Sequence, residues 1–177
     1  MSRRDGIGNE HRKVINEINN KTVNISSITK TLVTEACSEL DDEMTYIRQT
    51  LINKTLDDEL LSSYILELAN ILYFVGERME DVGIKEDMCK SIRTELFNKL
   101  RDSVTGTKAD KDSVAESGVQ TETQVLSIYN HAYKAIKLKY DAGYEMLNSL
   151  KKVMNKRISE LELSNSKYIG GSNDTRD

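Results

Sequence analysis

Stepping by three or four residues from Val125 reaches Tyr129, Ala132, Ile136, Tyr140, Gly143, Leu147, Leu150, Met154, Ile158 and Leu161. Ten steps cover 36 residues, the 3.6-residue period of an amphipathic α-helix. A strict heptad from Val125 lands instead on Lys139, Arg157 and Glu160, so a long left-handed coiled-coil seam fits less well. Three further helices are predicted upstream. The first, about 27–52, carries Ile28, Leu32, Cys37, Leu40, Met44, Ile47 and Leu51 on one stripe. The second, about 57–80, is apolar on most of its circumference between Leu60 and Val75, which predicts the buried centre of a small bundle. The third, about 85–104, aligns Met88, Cys89, Ile92, Leu96 and Leu100.

Local signals set the ends. Thr55 with Asp58 is a capping-box variant for the second helix, and Thr107 with Asp110 repeats the signal for the last. Gly83 is expected to end the second helix or to lie in the turn after it, and Ser103–Thr107 to form a turn around Gly106. The final helix is expected to run unbroken over about 108–163, with a weak point near Gly118. Residues 1–22 are expected to be a flexible tail and 164–177 a disordered end, leaving a helical domain over 23–163.

Composition supports this. The 177 residues include no Pro, nine Gly, no Trp and 31% charged side chains, which together favour an all-α fold. The apolar share of 38% suits long helices with narrow stripes, which bury those stripes by oligomerising. The expected architecture is a small, oligomer-forming helical bundle with a long C-terminal amphipathic helix.

The net charge of −4 conceals an asymmetry. Glu39–Glu67 holds eight acidic and two basic residues, a net of −6; His131–Ile158 holds seven basic and two acidic, a net of +5. The acidic face of the first helix suits either solvent or a protein partner. Cys37 and Cys89 sit in apolar stripes and are expected to be free thiols in a reducing compartment. No signal peptide or uninterrupted membrane-length apolar run is evident, so a cytoplasmic protein without membrane contact is expected.

Catalytic chemistry needs convergent groups, and few candidates exist. His11 and His131 each lack a second ligand at metal spacing, and no phosphate-cradling Gly loop or nucleophile elbow is present. The expectation is a protein that is not an enzyme and uses no cofactor or metal. The basic helix is the remaining handle. Lys134, Lys152 and Lys156 point away from its apolar stripe, while Lys137, Lys139, Lys151 and Arg157 flank it. Flanking lysines are ordinary on a bundle helix, where their stems cover apolar surface. They also suit a phosphate-tracking groove, with Tyr133, Tyr140 or Tyr144 available to stack on bases. Arg3, Arg4, Arg12 and Lys13 near the N-terminus fit a solvated tail or a backbone contact.

Residues 63–163 resemble the phage recombination-mediator family typified by the UvsY protein of T-even phages. The likeness lies in the apolar helix LANILYFV, the helix ending Lys99-Leu100-Arg101 before the Gly106 turn, and the AYKAIK and SLKKVMNKRI runs of the last helix. The resemblance implies a small all-helical, ring-forming protein of a phage-infected host cytoplasm. It implies binding to single-stranded DNA and the loading of a RecA-like recombinase onto strands covered by single-strand-binding protein. It places DNA contacts at Lys99 and Arg101; the acidic first helix is additional to that family's core. The competing expectation is a phage structural, scaffold or assembly protein that uses the same helices for oligomerisation alone. A third is a regulator that grips a basic host protein through the acidic helix.

Overall fold

The structure is a computed structural model that describes residues 3–53 and 57–170, with the side chains of 20–52 and 57–165. The described residues form four helices and no strand: α1 (Arg3–Asn53), α2 (Asp58–Ser103), α3 (Lys108–Gly118) and α4 (Gln120–Gly170). The all-α expectation therefore holds, but its boundaries change.

α1 starts at Arg3, where a tail to residue 22 was expected; the side chains of Arg3, Arg4, Arg12 and Lys13 lie outside the description. At the other end α4 continues to Gly170, beyond the predicted end at 163, and the rest of the expected tail lies outside the described residues. The second and third predicted helices are one helix, because Gly83 is a packing position and not a stop. A methyl group at Gly83 would come within 3.3 Å of Tyr133 Cε2. The missing side chain lets the tyrosine ring lie against the α2 backbone, which outweighs the roughly 1 kcal/mol by which Gly disfavours a helix interior.

The cap of α2 also differs. Asp57 Oδ1 accepts the Leu60 N–H at 2.7 Å, and Asp58 and Glu59 add negative charge at the first turn. Thr55, the expected cap, lies outside the described residues. At α3 the expected capping box is present. Thr107 Oγ1 accepts the Asp110 N–H at 3.3 Å, and the Asp110 carboxylate accepts the Thr107 N–H at 3.2 Å. The Thr107 hydroxyl, which donates to the carboxylate at 2.6 Å, and after it the Thr107 N–H hold the Asp110 carboxyl below its ordinary range. Just before the cap, Gly106 turns the chain with φ +140°, a conformation L side chains rarely adopt.

The helix expected to run unbroken over 108–163 is interrupted at Val119, the fully buried C-cap of α3. The weakness near Gly118 is where the break occurs. A methyl group on Gly118 would meet Leu100 Cδ1 at 2.4 Å, so α3 ends in close approach to α2. Arg93 of α2 holds both sides of the break: its guanidinium pairs with Glu116 of α3 at 2.6 Å and donates to Thr123 Oγ1 of α4 at 2.7 Å.

The chain divides into two compact units, Met1–Ala36 with Glu77–Lys137, and Cys37–Gly76 with Leu138–Asp177. In the first, Ala36, Val82, Ala115, Val119, Ile128, Ala132 and Ile136 are buried. Arg78 donates to the Ala36 carbonyl at 3.2 Å and ties α2 to α1 there. In the second, α1 supplies Cys37, Leu40, Met44 and Ile47, α2 supplies Leu61, Tyr64, Leu68, Ile71, Leu72 and Val75, and α4 supplies Leu147 and Leu150. The predicted α4 stripe is thus the buried side of α4, except near its ends, where Val125, Ile158 and Leu161 are exposed.

By length and composition alone α2 could cross a membrane, although 33% of its most apolar 18-residue window is buried inside the protein. The expectation that no such stretch exists therefore needs correcting. Glu67 and Asn70 interrupt the run, as the sequence showed, but they do not dilute it enough. Nor is α2 buried all round: Leu66, Tyr73 and Phe74 are exposed.

Candidate nucleic-acid interface

A phosphate-binding surface needs cations that are accessible and not committed to carboxylates of their own chain. The nine predicted residues divide on this point. In the first unit, Lys99 pairs with Glu95 at 2.5 Å, one turn back on α2, and holds the Glu95 carboxyl below its ordinary range. Arg101 pairs with Asp112 of α3 at 3.2 Å across the Gly106 turn. Lys134 and Lys137 are exposed on α4.

In the second unit, Lys139 is bonded to Asp41 of α1, and Arg157 pairs with Asp58 of α2 at 2.8 Å. Lys156 lies 3.7 Å from Glu160 on the next turn of α4. Lys151 and Lys152 are exposed. Arg101, Lys139 and Arg157 thus join one helix to another, while Lys99 and Lys156 pair within their own helix. Exposed pairs of this kind are worth about 0–1 kcal/mol, so a polyanion can compete for them.

The predicted stacking tyrosines divide too. Tyr133 packs against Gly83, and Tyr140 Cε2 lies 3.6 Å from the position of a methyl on Gly76. Both rings are half-buried against α2, and Tyr144 alone of the three is exposed. Sequence reasoning missed this because it read Gly83 as a helix end and drew nothing from Gly76. The signal was the shared seven-residue spacing: Gly76 and Gly83 on α2 match Tyr140 and Tyr133 on α4 in antiparallel order.

Opposite in sign is the acidic side of α1. Asp41 is engaged by Lys139, while Glu39 and Asp42 are exposed. Glu43 is half-buried, and its carboxyl is raised above the ordinary range, first by lost solvation and then by the nearby Glu67 of α2. A raised folded-state pKa means that the native protein binds this proton more tightly than the unfolded chain does. Ionised Glu43 therefore costs stability at neutral pH, and that cost disappears as pH falls through the raised pKa. Glu43→Gln is expected to stabilise the protein at pH 7 by roughly 0.5 kcal/mol, the scale of solvent-screened surface charges. The gain should vanish near pH 4 in urea titrations; an equal gain at both pH values would contradict this reading.

Among the described residues no group of three or more His, Cys, Asp or Glu side chains is placed to hold a metal ion. His131 is exposed on α4, and His11 has no described side chain. Neither cysteine is in a disulfide; Cys37 is fully buried and Cys89 half-buried. Sequence reasoning also missed Arg93, whose partners lie 23 and 30 residues away. No family model, characterised protein or solved structure matches the chain.

Proposed function

We propose that the protein is a non-enzymatic, oligomeric single-stranded-DNA-binding protein of the recombination-mediator kind. In this reading it helps a RecA-like recombinase replace single-strand-binding protein in a host cytoplasm. The observation that carries the reading is that α4 exposes lysines in each unit, Lys134 and Lys137 in the first and Lys151 and Lys152 in the second, with Lys134 and Lys152 facing away from its buried side and Lys137 and Lys151 flanking it. One helix offers few cations, but a symmetric oligomer repeats them and makes phosphate contact multivalent. Lys99 and Arg101 at the Gly106 turn add a second point through exposed pairs that phosphate can displace.

The test is fluorescence anisotropy with a labelled oligomer of about 40 nucleotides, titrated at several salt concentrations. Affinity is expected to fall with salt at roughly 0.7 log units per log unit for each phosphate engaged. Lys134→Glu with Lys152→Glu should weaken binding at least tenfold without loss of helicity. Lys99→Ala with Arg101→Ala should also weaken it. No binding at low salt would sink the reading.

A second reading, a structural or assembly protein, is favoured by the exposed apolar face of α2. It predicts oligomers indifferent to DNA, and co-purification with phage particles would favour it.

A further inference from the structure

In the first unit, α2 and α4 border a cavity of about 150 Å³ lined by Cys89, Ile92, Thr121, Glu122 and Val125. Cys89 and Ile92 are three residues apart on α2, and Glu122 and Val125 are three apart on α4, so each pair shares a helix face. The mouth is at the surface, where Ile92 and Val125 are 53% and 37% exposed. One group departs from these apolar walls: Glu122 Oε2 is buried and has no hydrogen-bond partner. A buried carboxyl oxygen without a donor is costly, and most such atoms in folded proteins are satisfied. No cation of the chain lines the cavity. Arg93, next to Ile92, commits its guanidinium to Glu116 and Thr123.

We propose that this cavity binds a primary alkylammonium group. Its nitrogen donates to Glu122, and its carbon stem lies against Cys89, Ile92 and Val125. An ammonium carries three donors and no acceptor, which suits a carboxyl oxygen that lacks a donor. Thr121, on the same wall, offers its hydroxyl oxygen as a second acceptor, and the third N–H faces water at the mouth. Such a group comes either from a free small amine or from a lysine side chain of another protein, and the recognition chemistry is the same.

Other occupants fit less well. Water would need about five molecules to fill this space, each with two to four polar partners. Beyond the weak Cys89 thiol, only Glu122 and Thr121 bring polar side chains to the walls. A metal ion would find too few ligands, since no group of three His, Cys, Asp or Glu side chains gathers among the described residues. An anion would meet the Glu122 carboxyl. A cavity of about 150 Å³ holds an apolar body of about six carbons, enough for the four-carbon stem of a lysine.

The experiment is an NMR titration of the full chain with n-butylammonium chloride, with n-butanol as the neutral control. Shift changes are expected at Cys89, Ile92, Thr121, Glu122 and Val125, with a Kd of about 1 mM or tighter, a scale within reach of a ligand this small. n-Butanol keeps the stem but not the charge, and should bind at least about tenfold more weakly. Glu122→Gln should weaken butylammonium binding at least about tenfold with helicity kept, since Oε2 makes no hydrogen bond within the fold. The n-butanol comparison, made on the wild-type chain, decides should that variant misfold. N-acetyl-lysine methylamide, whose one ammonium is the side chain's, separates the two sources. Its binding at the same residues assigns the site to a protein lysine, and its failure where butylammonium binds assigns it to a free amine. No shift change at these residues, equal affinity for n-butanol, or full affinity in folded Glu122→Gln overturns the inference. All of these outcomes leave DNA binding by the exposed lysines untouched.

Discussion

Replacing Gly143 with leucine is expected to unfold the second unit. Gly143 is buried on the inner side of α4. Even a methyl group there would stand 3.0 Å from Leu40 Cδ1 of α1 and 3.0 Å from Leu72 Cδ2 of α2. Both neighbours are themselves packed, Leu40 with no exposed surface, so neither has free space to turn into. Overpacking by a single methylene costs about 1–3 kcal/mol, whereas Ala in place of Gly returns about 1 kcal/mol of helix propensity. Gly143→Ala should therefore be destabilising by about 1 kcal/mol. Gly143→Leu adds three more carbons at the same point and should cost more than about 3 kcal/mol, a large part of a typical domain's stability. Urea denaturation followed by circular dichroism reads both. The check on mechanism is Leu40→Ala combined with Gly143→Ala. Room made on α1 should absorb the added methyl, so the pair should cost less than the sum of its parts. Strict additivity would mean that Leu40 is not what the methyl meets.

The same glycine shows why the α4 stripe was legible and the neighbours it packs against were not. Its place between Tyr140 and Leu147 follows from periodicity alone, since a helix face is fixed by spacing within one segment. What fills the space opposite depends on residues about 70 and 100 positions away, which no local pattern contains. The charged residues divide in the same way. Thr107 and Asp110 are three residues apart, and their mutual capping was evident from spacing. The partners of Lys139 and Arg157 lie 98 and 99 residues away, so these cations looked available for phosphate when each was already paired. Gly83 misled for a related reason. As a local signal it suggests a helix end, but the ring of Tyr133 determines its use. The candidate interface was legible to the extent that its lysines are exposed by helix geometry alone, as Lys134 and Lys152 are.

On α2, Leu66 and Leu68 should differ sharply, although sequence reasoning expected the helix between Leu60 and Val75 to be the buried centre of a bundle. Leu68 is fully buried, so Leu68→Ala should leave a cavity and lower stability by about 2–5 kcal/mol. Leu66 points to the opposite side of the helix, and at concentrations where the chain is a single copy Leu66→Ala should change stability by no more than about 0.5 kcal/mol. The deciding measurement is the urea midpoint of each variant at low and high protein concentration. The Leu68→Ala loss belongs to the unit's own core and should appear at every concentration. Any Leu66→Ala loss should grow with concentration, because binding to the native state alone adds stability by mass action. Equal, concentration-independent losses at the two positions would show that α2 is enclosed on both sides within one chain. The exposed seam would then be filled by the chain itself.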